Sequence, residues 1–262
     1  MLSLKRLNSI RPTIHSAILK KLSPLAANPS QCSSIRFFDF YQLGNKEAIE
    51  KERARLADEM NRGYFADIAE LKKHGGKISE ANKIIIPGMA AVKFPALDVT
   101  YSDGTKLSLP TVFNANGVDT GSMTMPKASL MCLSFRASSQ TMVNTWTTPF
   151  LDAFSDSKAV QLYEVSFIDS WLLTRSPIKK LLLRMMRKPD PKEKKDVLQR
   201  QIVYFFGDHY YFRKELKILN LLTGYIFLLD KFGRIRWQGS GISSKEELAS
   251  LLACTSLLLE ES

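Results

Sequence analysis

The strongest constraint on the fold lies near the C-terminus. Residues 224–238 read GYIFLLDKFGRIRWQ, two β-rich runs joined across Asp230-Lys231-Phe232-Gly233. Glycine at the end of such a turn takes a positive φ without steric penalty, so the segment predicts a β-hairpin. Ser243-x-x-Glu246 follows, with capping-box spacing, and then Leu248, Leu251, Leu252, Leu258 and Leu259 at positions able to face a core. A hairpin closed by a terminal helix needs a sheet to extend and a face for the helix to cover. Residues 127–135 (KASLMCLSF) supply a strand apolar enough to be buried on both faces, and residues 161–168 a second central strand. A helix is expected between them over 141–154. Upstream, residues 92–100 are β-rich, residues 101–106 hold an Asp-Gly turn, and Leu107-Ser108-Leu109 resumes the pattern, which predicts a second hairpin. Strand–helix–strand units imply parallel strands with helices on their faces, an α/β fold.

The N-terminus has a different character. No Asp or Glu occurs in residues 1–38, which hold seven serines and Lys5, Arg6, Arg11, Lys20, Lys21 and Arg36. Leu2, Leu4, Leu7, Ile10, Ile14, Ile18 and Leu22 recur at helical spacing. Basic, Ser-rich, acid-free and amphipathic composition marks a mitochondrial transit peptide, with Arg36-Phe37-Phe38 as the expected cleavage region. A helix of this kind is drawn electrophoretically across a membrane that is negative inside. The chain carries a formal charge of +11, and cleavage after residue 36 removes six of those positive charges. The mature chain is then only mildly basic, and no nucleic-acid partner is expected.

The expected organisation is a transit peptide over 1–36, a charged helical extension over 37–90 and a folded domain over 91–262. In the extension, residues 44–73 predict one or two exposed helices ending near Gly75-Gly76, expected to pack on the domain or else to reach a partner. Inside the domain, residues 170–200 predict a basic helical insertion. Ser176-Pro177 gives a capping serine and a proline at the first helical position. Ile178, Leu181, Leu182, Met185 and Met186 fall on one apolar face, while Arg175, Lys179, Lys180, Arg184, Arg187 and Lys188 supply charge. Such a helix is expected to pack by its apolar face and to offer its basic side to anionic lipid or an acidic partner, with Trp171 suited to an interface.

The cysteines limit the chemistry. Cys32, Cys132 and Cys254 are far apart, so the chain holds no CxxC pair and no zinc-ribbon spacing. Their low, odd number argues for a reducing compartment. Cys132 sits in the apolar run and is expected to be buried and inert, and Cys254 falls in the last helix. His15, His74 and His209 are expected at surface or capping positions, and neither metal nor cofactor is expected.

Three segments carry a resemblance. Residues 94–110 (FPALDVTYSDGTKLSLP) resemble the opening of thioredoxin-like and peroxiredoxin-like proteins, and residues 224–241 (GYIFLLDKFGRIRWQGSG) resemble their terminal hairpin. Residues 133–139 (LSFRASS) stand where those enzymes run from a strand into the reactive-cysteine loop. With the basic middle segment and Arg236-Trp237, the whole resembles the mitochondrial ATP synthase assembly-factor family known as ATPase complex subunit ten. The resemblance implies a thioredoxin-like domain and a non-enzymatic role. Family members assist incorporation of membrane-sector subunit a beside the subunit c ring, at the matrix face of the inner membrane. No run of the sequence approaches the roughly 18 apolar residues of a membrane span, so membrane contact is expected to be peripheral or through a partner. The resemblance brings no catalytic residues with it.

A thiol enzyme of this fold needs a thiolate at a helix N-terminus. Here Ser138, Ser139 and Gln140 occupy that place, with the serines expected as caps, and Thr223-Gly224-Tyr225 precedes the hairpin where those enzymes carry proline. The expected contacts with a partner are Trp171, Arg175, Lys179, Lys180, Arg184, Arg187, Arg236 and Trp237. The competing expectations are a thiol peroxidase or reductase working through Cys132, and a matrix-side lipid-binding module.

Overall fold

The computed structural model describes residues 46–61, 64–73, 75–111, 126–169, 176–186, 198 and 200–261. The transit peptide with Cys32 and His15, together with His74, Trp171, Arg175, Arg187 and Lys188, lies outside the described residues.

Two helices come first, α1 (Lys46–Asn61) and α2 (Tyr64–Lys73), ending at Gly75 and Gly76 with φ of 61° and 88°. The hairpin β1 (Leu97–Tyr101) and β2 (Lys106–Leu109) follows. Then come β3 (Ala128–Ser134), α3 (Ala137–Phe154), β4 (Val160–Ile168), α4 (Ser176–Met186), β5 (Arg200–Phe206) and α5 (Tyr210–Glu215). The chain closes with β6 (Gly224–Asp230), β7 (Ile235–Ser240) and α6 (Lys245–Glu260). One seven-stranded sheet runs in the order β2-β1-β5-β4-β3-β6-β7. β3, β4 and β5 are parallel, and the remaining pairings are antiparallel. The β3-α3-β4 unit followed by the antiparallel β6-β7 hairpin and α6 is the thioredoxin-like arrangement. β5 extends it beyond β4, and the β1-β2 hairpin completes that edge.

Every residue of β3 is buried, which explains its unbroken apolar run. Alternate side chains divide between two cores. Leu130 and Cys132 join Trp146, Phe150, Trp237 and Leu251 on the face covered by α3 and α6. Met131 and Leu133 join Phe94, Val203, Ile218 and Phe227 on the other.

α3 contains Pro149, which has no N–H to give the carbonyl of Thr145 one turn back. The Ser243 hydroxyl donates to that carbonyl at 3.0 Å, and the Ser243 amide donates to Thr145 Oγ1 at 3.0 Å. The proline thus opens a docking point for the loop entering α6. Gly224 allows α3 to lie close on β6: a Cβ there would stand 2.8 Å from Val143 Cγ2 and 3.2 Å from the Ser139 carbonyl.

The structure revises several expectations. α3 begins at Ala137, one turn before the expected start, and its N-cap is Arg136. Ser138 and Ser139 are therefore first-turn residues and not the N-cap itself, with Ser139 Oγ accepting from the Arg136 amide at 3.4 Å in a capping box. The cap of α6 is one residue later than the spacing suggests, with Ser244 and Glu247 as the reciprocal pair. The insertion at 170–200 leads into a further strand, β5, which was not expected although Pro189-Asp190-Pro191 stands before it in the sequence. Residue 90 marks no break: residues 79–94 follow the outer edge of β7. Asn82 N donates to Gln238 O, Ile86 N to Arg236 O, Ile235 N to Val92 O and Phe94 N to Gly233 O, at 2.7 to 3.0 Å. This strap covers an edge strand that would otherwise present unpaired backbone.

Candidate functional site

In a fold of this kind chemistry belongs at the carboxyl end of β3, where the chain turns into α3. Here that turn is held by hydroxyls. Ser139 Oγ donates to the Arg136 carbonyl at 2.7 Å and lies 2.9 Å from Ser134 Oγ. Ser139 is fully buried, so the first turn of α3 is fastened inward.

The thiols of the described residues offer no nucleophile. Cys132 lies mid-strand, in register with Glu164 of β4 and Ile226 of β6, and is 1% exposed. Burial pushes its thiol well above the ordinary range, and the Glu164 carboxylate adds to this more than Arg200 offsets it. Glu164 is itself buried and ion-paired with Arg200. Gln140 Nε2 donates to Glu164 Oε2 at 2.9 Å, and Arg200 Nη2 donates to Asn144 Oδ1 at 2.8 Å. That network ties β4 and β5 to α3 beneath the sheet's centre, which is a structural use of charge. Burial also raises the Cys254 thiol. A thiol held protonated is neither nucleophile nor metal ligand.

The helical extension is fastened to the chain that follows β5 and to the loop before β6. Arg55 of α1 is buried and pairs with Asp208, and the Tyr210 hydroxyl donates to Asp58 Oδ2 at 2.8 Å. Asn220 Nδ2 donates to the Asp67 carbonyl and to Glu70 Oε2, both at 3.0 Å, and the Leu221 amide donates to Asp67 Oδ2 at 3.2 Å. The helices expected to be exposed are thus bolted by buried polar groups to the loops that precede α5 and β6. Sequence reasoning found the helices but not these bolts, because isolated Arg, Asp and Asn codes carry no sign of their partners.

His209 belongs to the same region. It stands at the N-cap of α5, yet its side chain makes no capping bond and is buried, not at the surface. Its ring stacks on Phe135 at 5.3 Å, and Nδ1 has no hydrogen-bond partner. Burial, and then the charge of Arg213, pull its pKa down to about 4.

The residues expected to meet a partner separate into two groups. Arg236 and Trp237 are turned inward: Trp237 Nε1 donates to the Asn82 carbonyl at 2.6 Å, and Arg236 Nε to the Ile86 carbonyl at 2.6 Å. Arg236 also pairs with Glu261 at 2.7 Å. Both side chains anchor the strap to β7 and α6, with exposures of 4% and 0%, and neither presents a surface to another molecule.

α4 keeps the other group, but rolled about its axis. The expected apolar face was Ile178, Leu181, Leu182, Met185 and Met186. The inward positions are Ile178, Lys179, Leu182, Leu183 and Met186, and the outward ones Pro177, Lys180, Leu181, Arg184 and Met185. At the angular step of an α-helix the buried arc is displaced by roughly 60° from the expected one. The surface beneath explains the roll. Lys179 lays its stem over the sheet with Nζ 4.3 Å from the Phe206 ring centre and 3.4 Å from Thr100 Oγ1. Burial, and next the charge of Lys106, lower its pKa. Leu181 and Met185 are left 59% and 77% exposed beside the exposed cations Lys180 and Arg184.

Comparison with solved structures gives distant likenesses. The thioredoxin domain of a thiol-disulfide oxidoreductase from Bacteroides vulgatus is 15% identical, with a TM-score of 0.37 over 62% of this chain and 94% of that one. BsSco, a member of the Sco family of cytochrome c oxidase assembly proteins, is 10% identical, with a TM-score of 0.39 over 69% and 100%. StoA from Bacillus subtilis is 18% identical, with a TM-score of 0.34 over 62% and 98%. The fold assignment rests on the strand order above and not on these scores. Comparison with curated proteins gives no match. A family match is extensive, covering residues 16–258 under the description ATP10 protein. It spans both the helical extension and the sheet, and the chain therefore belongs to the ATP10 protein family, whose members are assembly factors for the mitochondrial ATP synthase.

Proposed function

We propose that this chain is a non-enzymatic assembly factor of the mitochondrial ATP synthase that helps subunit a into place beside the subunit c ring. The family match over residues 16–258 carries the reading. Two further observations support it. The cysteines of the described residues are buried, with their thiols held protonated, which leaves shape and charge as the working tools. The acid-free basic leader suits import across the inner membrane, and no described helix is long and apolar enough to cross a membrane. The proposed place of work is the matrix face of the inner membrane, with peripheral contact. Of the residues expected to meet a partner, Lys180 and Arg184 remain on an exposed face among the described residues, with Lys179 turned under the helix.

The test is a chain with Cys32, Cys132 and Cys254 all changed to alanine, expressed in cells lacking the native protein. Alanine is used because a serine hydroxyl would be buried at position 132 without a partner. ATP synthase assembly should be restored, and newly made subunit a should co-purify with the tagged chain. Failure of the cysteine-free chain to act while it remains folded, or peroxide turnover by the native chain that Cys132→Ala abolishes, would reinstate thiol chemistry.

A further inference from the structure

The α4 helix holds more apolar surface than the fold covers. Its sequence, SPIKKLLLRMM, has no acidic residue. The roll that turns Lys179 and Leu183 inward leaves Pro177, Leu181 and Met185 on one flank of the outward face and Lys180 and Arg184 on the other. An exposed helix face needs no large apolar side chain for solubility, yet this one carries two adjacent ones, a turn apart in register with two cations. Lysine and arginine stems can lie along apolar matter with their heads at a polar, anionic layer, while Leu and Met reach beneath it. An acidic protein surface would satisfy the charges but leave Leu181 and Met185 against polar groups. An anionic bilayer interface satisfies both halves of the face.

We infer that the outward face of α4 is a membrane-docking surface, with Leu181 and Met185 inserted at the acyl boundary of an anionic bilayer and Lys180 and Arg184 at its headgroup phosphates. The inference rests on the proposed work at the inner membrane and adds the residues that make the contact and the lipid chemistry they select. The inner face of α4 stays packed on the sheet, so the domain lies flat against the membrane at its β1-β5 side. Neither flank suffices alone, since the helix is only 11 residues long and two cations give limited attraction.

The measurement uses the full chain with Cys32→Ala and an environment-sensitive fluorophore on a cysteine placed at Leu181, at Met185 or, as a control, at the equally exposed Leu219. A local probe is needed because the basic leader can itself hold the chain on anionic vesicles. Vesicles of phosphatidylcholine alone and of phosphatidylcholine with cardiolipin are compared. The labels at 181 and 185 should shift to the blue on cardiolipin vesicles, and the label at 219 should not. Lys180→Glu with Arg184→Glu should weaken the response at 181 about tenfold or more, at about 1 kcal/mol per charge near the surface. Leu181→Ser should abolish it at 185, with an unchanged urea midpoint. Labels that remain in water, that respond equally on phosphatidylcholine alone or that ignore the charge reversal overturn the inference. So does a response that appears only when subunit a is added, which would make the face a protein-docking surface. Capture of subunit a by the charge-reversed chain is scored separately, so the assembly reading stands or falls on its own result.

Discussion

His209 shows how one buried side chain can set a pH response. Its pKa is about 4 in the folded chain against an ordinary 6.5, so it is neutral when folded and protonates more readily when unfolded. Between those values the unfolded state binds the extra proton. Stability is therefore full above pH 6.5 and falls as pH drops towards 4, by on the order of 3 kcal/mol across the window. Urea midpoints measured from pH 7.5 to 4 should fall accordingly, and His209→Phe should flatten the difference by keeping the stack on Phe135 without the titration. A second single-residue expectation concerns Ser139. Removing its hydroxyl takes away the bond to the Arg136 carbonyl and the contact with Ser134 Oγ, while that carbonyl keeps the Ser139 amide and the Ser134 hydroxyl as donors, so Ser139→Ala should cost about 1 kcal/mol in chemical denaturation. Neither residue announced its role in sequence. His209 reads as a surface or capping residue, and burial by Phe135 and Phe167, from strands far away in the chain, is what changes its chemistry.

Secondary-structure elements were more legible than single residues, because their signals are local. The hairpin around Asp230 follows from its own chemistry. Asp230 Oδ1 accepts from the amides of Phe232 and Arg234 at 3.0 and 2.9 Å, and Gly233 takes φ of 73°. The cap of α6 was misplaced by one residue because Ser243 and Ser244 both fit the spacing. Tertiary contacts choose Ser244, since Ser243 is engaged with α3 and Glu247 also serves the strap. Glu247 accepts from the amides of Ala81 and Ser244 at 2.9 and 3.0 Å and pairs with Lys77. Burial works against its charge, but these donors win and lower its pKa. Glu247→Ala should accordingly cost about 2 kcal/mol, above the usual value for a cap alone, as read by thermal unfolding. The helical extension gives a different signature. Asn220→Ala removes the bonds to Asp67 and Glu70, so limited proteolysis within residues 62–75 should speed up roughly tenfold while the sheet core unfolds at nearly the same urea concentration. Equal losses in both would mean that extension and sheet open as one unit.

For the molecule as a whole, the end of the sheet that a thioredoxin-like fold uses for chemistry is built here for support. Hydroxyls hold the turn into α3, α1 and α2 are fastened to the chain around α5 and before β6, and charge is carried outward on α4. The family match sets this arrangement among assembly factors of the mitochondrial ATP synthase. Local sequence was sufficient for β3, β4, the two hairpins and the closing helix, because periodicity and turn residues need no distant partner to act. It was also sufficient for the presence of an amphipathic basic helix. Tertiary structure alone decided which arc of that helix was buried, since the polar and aromatic patch at Thr100 and Phe206 drew Lys179 inward and left Leu181 and Met185 outside. It alone placed Arg236 and Trp237 in the interior, where the strap from residues 79–94 satisfies them. A side chain's type is written locally, but its burial is set by which remote surface the chain brings against it.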